Sequence, residues 1–252
     1  MAQRDNLGFT DPYAYNIKRY YDALDNLLCT EIYNTIGQLH RVGGPAVIFA
    51  NGTTKYFINN KLHRLNGPAI ITATNDLYYY QNGVLHRDGY AAIEKNNGDQ
   101  FWYQNGLLHR DNGPAIDLVI GIKKYYNNGK LHRTDGYAAT YPNGDNFWYQ
   151  DDQLHRLDGY AIEWGNGDRS WYEYGLLTKN NLPAELIDGG QYFYQNGKLH
   201  RDNAPAVILP SGVIKYYQNG LLHRTDGPAI SGAGHTEWWK NGVRITPYEV
   251  NN

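Results

Sequence analysis

Eight of the nine histidines stand in one recurring phrase, Leu-His-Arg, at 39–41, 62–64, 85–87, 108–110, 131–133, 154–156, 199–201 and 222–224. Three chemistries suit such residues: metal ligation by imidazole, hydrolysis by imidazole with a carboxylate, and recognition of an anion by guanidinium. Zinc needs three or four ligands converging at about 2 Å. One histidine per repeat puts neighbours two strands apart, about 10 Å at the usual strand spacing, so they cannot share an ion. Packing against a cross-strand aromatic, His109 against Trp102, is the simpler role. Hydrolysis lacks its parts as well. Asp88, Asp111, Asp135, Asp158, Asp202 and Asp226 lie where turns are expected, and turn propensity explains them. No serine sits in a nucleophile motif, Cys29 lies outside the phrase, and neither a phosphate-binding loop nor a dinucleotide fingerprint is present. No catalytic residue, metal or cofactor is expected.

Anion recognition is left. Arg41, Arg64, Arg87, Arg110, Arg133, Arg156, Lys179, Arg201 and Arg224 occupy one position of the phrase in turn. Guanidinium forks match carboxylate and phosphate. The candidate binding residues are Arg87, Arg110, Arg133 and Arg156, beside Tyr90, Tyr137 and Tyr160. The competing role is internal, with a nearby Asp or a turn carbonyl taking each guanidinium and bracing hairpin to hairpin.

The elements that must position this row follow from the spacing. Leu177-Thr178-Lys179 fills the one gap, and successive leucines are 23 residues apart except for a step of 22 between Leu177 and Leu199. Fixed self-similarity of this length signals a repeat architecture. In the copy at 99–121, Asn105-Gly106 is a strong hairpin signal, because a type I′ turn needs positive φ at both central residues. A two-residue loop there pairs Gln104 with Leu107, Tyr103 with Leu108, Trp102 with His109 and Phe101 with Arg110. Asp111-Asn112-Gly113-Pro114 makes a second turn into a shorter strand from Ala115. An aromatic pair recurs as Tyr56-Phe57, Tyr79-Tyr80, Trp102-Tyr103, Tyr125-Tyr126, Trp148-Tyr149, Trp171-Tyr172, Phe193-Tyr194, Tyr216-Tyr217 and Trp238-Trp239. Stacked, these predict two aromatic rows that form the core. In Gly89-Tyr90, Gly136-Tyr137 and Gly159-Tyr160 a tyrosine replaces the proline of Gly-Pro-Ala, which predicts extra aromatic surface beside the arginines.

The predicted fold is all-β: an elongated antiparallel array of about nine hairpin repeats over 31–252, the last of them degenerate. Residues 1–30 lie outside the repeat. Ile17, Tyr20, Tyr21, Leu24, Leu27 and Leu28 recur at helical spacing, with Thr10 or Asp11 as N-cap and Pro12 at the first helical position. They predict a helix over about 12–28 capping the first repeat. The net charge of -2 recruits neither nucleic acid nor a membrane surface in bulk. The single Cys29 excludes an intrachain disulfide and fits a reducing compartment. The absence of a long apolar run or signal-peptide pattern adds to the expectation of a soluble, cytoplasmic protein.

The unit Asn-Gly-x-Leu-His-Arg-x-Asp-Gly-Pro-Ala with its aromatic pair resembles the MORN-repeat superfamily. It is closer to the bacterial and viral variant branch, where Trp-Tyr-x-Asn-Gly-x-x-His-Arg-x-x-Gly-Pro-Ala units recur. The resemblance covers 31–245 and implies an antiparallel meander of hairpins coiled into a grooved ribbon. Arrays of this type in tailed phages and giant viruses imply a viral source. The Tyr-x-Gly-x-Trp opening of eukaryotic MORN repeats is missing, which sets aside their lipid-binding and membrane-junction roles. The implied function is non-catalytic capture of a partner protein, such as a host defence protein. The alternatives are sequestration of an anionic nucleotide-like signal between Arg and Tyr side chains, or a structural role in a virion or assembly scaffold.

Overall fold

The computed structural model describes residues 2–4, 15–179 and 182–247. Contacts divide the chain into two compact units, Met1–Lys130 and Leu131–Asn252. Both are antiparallel β-hairpin repeats, and no α-helix occurs among the described residues.

In the first unit, three strands precede the repeats: β1 (Ala2–Arg4), β2 (Asn16–Tyr21) and β3 (Leu27–Tyr33). Ala2 lies opposite Tyr21, Ile17 opposite Ile32, and Thr30 opposite Ile48 of β4 (Val47–Phe49). The helix expected over about 12–28 is therefore replaced from Asn16 by a strand hairpin; residues 12–14 lie outside the described residues. The reason is the neighbour. The edge of β4 presents backbone N–H and C=O groups that only another strand can pair in register. Ile17, Tyr20 and Tyr21 are also good strand formers. Asp22 closes the hairpin, its carboxylate accepting from the Leu24 and Asn26 N–H groups at 2.9 Å each. Leu24, on the supposed apolar helix face, is 83% exposed.

The repeat is built from two kinds of strand pairing, clearest in 99–121. Gln100–Phe101 pairs with Ile116–Asp117 of its own repeat and with Ile93–Glu94 of the preceding one, Phe101 facing Ile116 on one side and Ile93 on the other. These rungs form a meandering ladder that runs from repeat to repeat. Tyr103–Gln104 pairs instead with Leu107–Leu108 across Asn105-Gly106. Both turn residues have positive φ, +50° and +82°, the type I′ geometry.

The hairpin expected to continue to Phe101 and Arg110 stops earlier. At Trp102 the strand changes partner: its N–H donates to the Ala115 carbonyl at 2.7 Å, while its carbonyl accepts from the His109 N–H at 3.1 Å. Phe101 consequently joins the ladder, and Arg110 leaves the hairpin. The same switch recurs in the second unit, where the Trp148 and Trp171 N–H groups donate to Ala161 and Ala184 at 2.6 Å.

That switch decides what is buried. Ala46, Ala69, Ala92 and Ala115 in the first unit, and Ala138, Ala161, Ala184, Ala206 and Ala229 in the second, are each 0% exposed. Only a methyl group fits where two backbones close on each other. The aromatic rows, expected as the core, are mostly half-buried; among the recurring pairs only Trp171 and Phe193 fall in the buried class. They serve as walls around an alanine spine. The second aromatic of each pair is a tyrosine in most repeats, opposite leucine as in Tyr103 with Leu108. Burial pushes the phenols of Tyr80, Tyr103, Tyr172, Tyr194 and Tyr217 up from their ordinary value.

The second unit ends differently from its other repeats. His235–Lys240 runs without the switch and pairs with Val243–Ile245, Trp238 facing Ile245. The degenerate last copy is thus an unbroken hairpin. Among the described residues no helix is long and apolar enough to cross a membrane.

Enlarging one spine residue tests this core. Ala115→Leu forces the Trp102 and Ala115 backbones apart and is expected to destabilise the fold by about 1–3 kcal/mol. Urea denaturation followed by tryptophan fluorescence reads the effect, with an exposed change such as Leu107→Ala as reference.

Candidate binding surface along the arginine row

Histidine, arginine and glycine of the phrase have separate jobs, each set by backbone groups of the same or the next repeat. Histidine is the tie between repeats. His63 Nδ1 accepts from the Asn82 N–H at 3.0 Å, His86 from Asn105 at 3.0 Å, and His109 from Asn128 at 3.1 Å. In the second unit His155 accepts from Tyr174 at 3.1 Å, His200 from Asn219 at 3.1 Å, and His223 from Asn241 at 3.1 Å. Each donor is the first residue of the next type I′ turn. An accepting Nδ1 leaves the proton on Nε2, so the contact also selects the tautomer. Among the described residues the one ring contact of these six histidines is His155 with Tyr174, at 4.2 Å, and the packing expected of His109 on Trp102 is not seen.

The far end of the ladder carries a second tie. Asp76 Oδ1 accepts from the Asn96 N–H at 2.9 Å, Asp99 from Val119 at 2.8 Å, Asp145 from Gly165 at 2.8 Å and Asp168 from Asp188 at 2.9 Å. Lys95 Nζ adds a 3.0 Å bond to Asp76. The Asn96 N–H, with Lys95, holds the Asp76 carboxyl below the usual carboxylate range.

Arginine lies flat in a cradle of its own repeat. The guanidinium carbon is 3.7 Å from the Tyr79 ring centroid in Arg87, 3.7 Å from Trp102 in Arg110, 4.4 Å from Trp148 in Arg156 and 3.6 Å from Phe193 in Arg201. Nη1 donates to the carbonyl four residues on: Ala91 at 3.0 Å, Pro114 at 3.1 Å, Tyr137 (from Arg133) at 3.3 Å and Tyr160 (from Arg156) at 3.2 Å. A Cβ placed on Gly113 would stand 2.9 Å from the Arg110 guanidinium, and one on Gly159 2.5 Å from that of Arg156. Glycine leaves the guanidinium that space at these positions, although Tyr90 stands there beside Arg87 and Ala204 beside Arg201. Where Leu182 replaces that glycine, Lys179 replaces the arginine and sits 3.5 Å from the Trp171 ring.

The position of the nearby acid decides each arginine's electrostatics. An aspartate two residues on reaches Nε: Asp135 for Arg133 at 2.8 Å, Asp158 for Arg156 at 3.0 Å and Asp226 for Arg224 at 2.6 Å. These hydrogen bonds hold all three carboxyls below the usual range. An aspartate one residue on reaches the histidine instead: Asp88 to His86 Nε2 at 3.2 Å, Asp111 to His109 at 3.1 Å and Asp202 to His200 at 3.1 Å. A glutamate seven on can also serve, Glu94 meeting Arg87 at 2.8 Å and Glu163 meeting Arg156 at 3.6 Å. Among the described residues Arg41, Arg64, Arg110 and Arg201 have no carboxylate within salt-bridge distance.

The tyrosines separate too. Tyr137 and Tyr160 occupy the proline position and pack edge-on against Trp148 at 5.7 Å and Trp171 at 5.6 Å, with rings at 74° and 73°. Tyr90, grouped with them in the sequence, stands one place earlier, at the glycine position. It is 65% exposed and 4.9 Å from the Arg87 guanidinium. Of the seven candidate residues, the structure brings Arg87 and Arg110 to one cavity of about 270 Å³, floored by Trp102 and bordered by Gln104, His109 and Asp111. An equivalent cavity of about 220 Å³ lies in the second unit between Lys179 and Arg201, with Phe193, Gln195, His200 and Asp202. Sequence reasoning passed over this second one because its repeat has lost the Leu-His-Arg phrase at 177–179.

Compared with known proteins, the chain matches no family model and no curated protein sequence.

Two outcomes test the ties. His109→Ala removes the acceptor of the Asn128 N–H and is expected to cost about 1 kcal/mol, whereas Asp111→Asn on the exposed side of the ring changes stability by less than about 0.5 kcal/mol; thermal unfolding of both variants checks this. For Asp76 the folded carboxyl is more acidic than the unfolded one. Its contribution is complete above the unfolded value and drains as pH falls through the folded value. Asp76→Asn is therefore expected to flatten the acid limb of a stability–pH curve below about pH 4 while lowering the plateau above it.

Proposed function

We propose that the protein is a non-catalytic display array that binds a partner protein through the exposed side chains following each arginine. One observation carries this reading. The supporting positions repeat almost unchanged along the chain, as the alanine spine, the histidine ties and the arginine cradles. The exposed position after the arginine does not: it is Val42, Leu65, Asp88, Asp111, Thr134, Leu157, Asp202 and Thr225 in turn. A scaffold held constant beneath a changing outer row is what specific recognition by a repeat array requires.

Three of those residues are large, apolar and open to water: Val42 at 51%, Leu65 at 73% and Leu157 at 63% exposure. Exposed apolar groups set among polar ones are the usual anchors of a protein interface. The polar members beside them, Asp88, Asp111 and Asp202, would supply orientation more than affinity. The resemblance of the motif to variant MORN repeats of phages and giant viruses supports the same class of function. It favours a host protein, with defence proteins first among them.

Retention of a stoichiometric protein from host lysate by the purified full chain at micromolar concentration tests the reading. The expected result is a single partner whose binding falls about tenfold or more in Leu65→Asp or Leu157→Asp, with the melting temperature of the array unchanged. A chain that retains no protein, or a partner indifferent to both variants, overturns it.

A further inference from the structure

The arginine row divides into two populations, and the division marks where a partner's charge would be received. Arg87, Arg133, Arg156 and Arg224 each hold a carboxylate of their own chain. Arg110 and Arg201 do not, and no acid two residues on could serve them, since Asn112 and Asn203 stand there. Their nearest aspartates, Asp111 and Asp202, are taken up by His109 and His200 at 3.1 Å. Each of these guanidiniums spends Nη1 on one backbone carbonyl, Pro114 at 3.1 Å and Pro205 at 3.3 Å. Among the described residues the remaining N–H groups have no protein acceptor.

Both arginines line a cavity, one in each unit. The two cavities have the same parts: an aromatic floor, a glutamine, the aspartate-bound histidine, and a cation from the preceding repeat. In the first cavity that cation is Arg87, already neutralised by Glu94 at 2.8 Å. Arg87, Glu94, Arg110 and Asp111 sum to zero in the first cavity, and Lys179, Arg201 and Asp202 to +1 in the second, so a single negative charge is better matched than a doubly charged phosphate. A single carboxylate fits: it would accept from the unused face of the fork, with the Gln104 amide lining the same cavity as a second donor. The aromatic floor keeps the fork flat and pre-organised, which lowers the cost of binding a planar acceptor.

From this we infer that Arg110 and Arg201 are the carboxylate receptors of the array, taking aspartate or glutamate side chains of a bound protein segment. The inference rests on the partner-binding reading and adds the chemistry of that partner. Arg41 and Arg64 also lack a carboxylate but line neither cavity; the arginines that already hold one, Arg87, Arg133, Arg156 and Arg224, are scaffold, and neutralising them leaves recognition unchanged.

The experiment uses the full chain and a fluorescein-labelled oligoglutamate peptide, with fluorescence anisotropy read at low ionic strength. Arg110→Gln/Arg201→Gln is compared with Arg156→Gln/Arg224→Gln, which removes the same net charge from arginines that already have carboxylates. Loss of about tenfold or more in peptide affinity for the first pair, with a change below about twofold for the second, is expected. Equal loss in both pairs overturns the inference in favour of bulk charge, and so does no binding by the unmodified chain. Arg110→Lys/Arg201→Lys guards against misfolding. Lys179 already occupies this position in one repeat, so the lysine pair folds, keeps the charge and loses the fork, and intermediate affinity is expected. Lysine variants that bind as weakly as the glutamine pair despite a normal melting curve remain consistent only with fork recognition; full affinity would overturn it. Inorganic phosphate is titrated alongside, and binding of phosphate without binding of the peptide overturns the carboxylate assignment. Failure here is distinguishable from failure of the broader reading. A captured partner that ignores Arg110→Gln/Arg201→Gln removes this inference alone, whereas absence of any partner removes the display function and leaves the peptide result to stand by itself.

Discussion

Within each unit the type I′ turns that follow a histidine-bearing repeat are fixed to that repeat by a donated hydrogen bond, from the first N–H of the turn to the histidine Nδ1. A two-residue hairpin has too few bonds to persist alone in water. Here the Asn128 N–H reaches His109, and the Gly129 N–H reaches the Leu108 carbonyl at 2.8 Å, so the turn is held by the repeat before it. The aspartates at the other end of the ladder perform the same service for the turn between successive ladder strands, as Asp99 does for Val119 in the turn 118–121. A thin sheet of very short strands is stabilised at both edges in this way, and its buried core is mostly alanine methyls, joined by Ile32, Val47, Ile162, Trp171, Phe193 and Val207.

That economy constrains every other choice in the unit. Close approach of the backbones at Ala115 brings the Trp102 strand out of the ladder and into the hairpin. The indole is then left half-buried with an open face, and the arginine lies on it. The guanidinium in turn occupies the volume above Gly113. Leucine, histidine, arginine, glycine and alanine recur together because each fills space the previous one creates. The repeat that loses its arginine to Lys179 also loses its glycine to Leu182. The pairing is not strict, since Arg87 is kept with Tyr90 and Arg201 with Ala204 at the same position.

Freedom lies where no neighbour imposes a choice. The residue after the arginine faces water and varies from Leu65 to Asp88 to Thr134. The acid that follows sits either one or two places on, and this single-residue shift sends it to the imidazole or to the guanidinium. A backbone this uniform therefore carries a non-uniform charge pattern, with Arg133 and Arg156 internally neutralised and Arg110 not. Specific recognition by an array depends on such breaks in regularity, because a perfectly periodic surface offers every register equally.

The sequence by itself determined the period, the all-β class, the type I′ turns and the pairing of Tyr103 with Leu108. These depend on local physics: positive φ at Asn-Gly, side-chain alternation, and the recurrence of one phrase. It also placed Arg87 and Arg110 among the candidates, without separating them from Arg133 and Arg156. Tertiary structure decided the rest. The change of strand partner at Trp102 depends on two backbones meeting at Ala115, which no local propensity encodes, and it turned the expected aromatic core into an alanine spine. The strands at 16–21 and 27–33 won over a helical spacing because an open sheet edge needs partners that a helix cannot give. The tautomer of each tied histidine, which depends on an N–H donated by the next repeat's turn, was likewise set by distances across repeats. Sequence spacing alone does not carry that information.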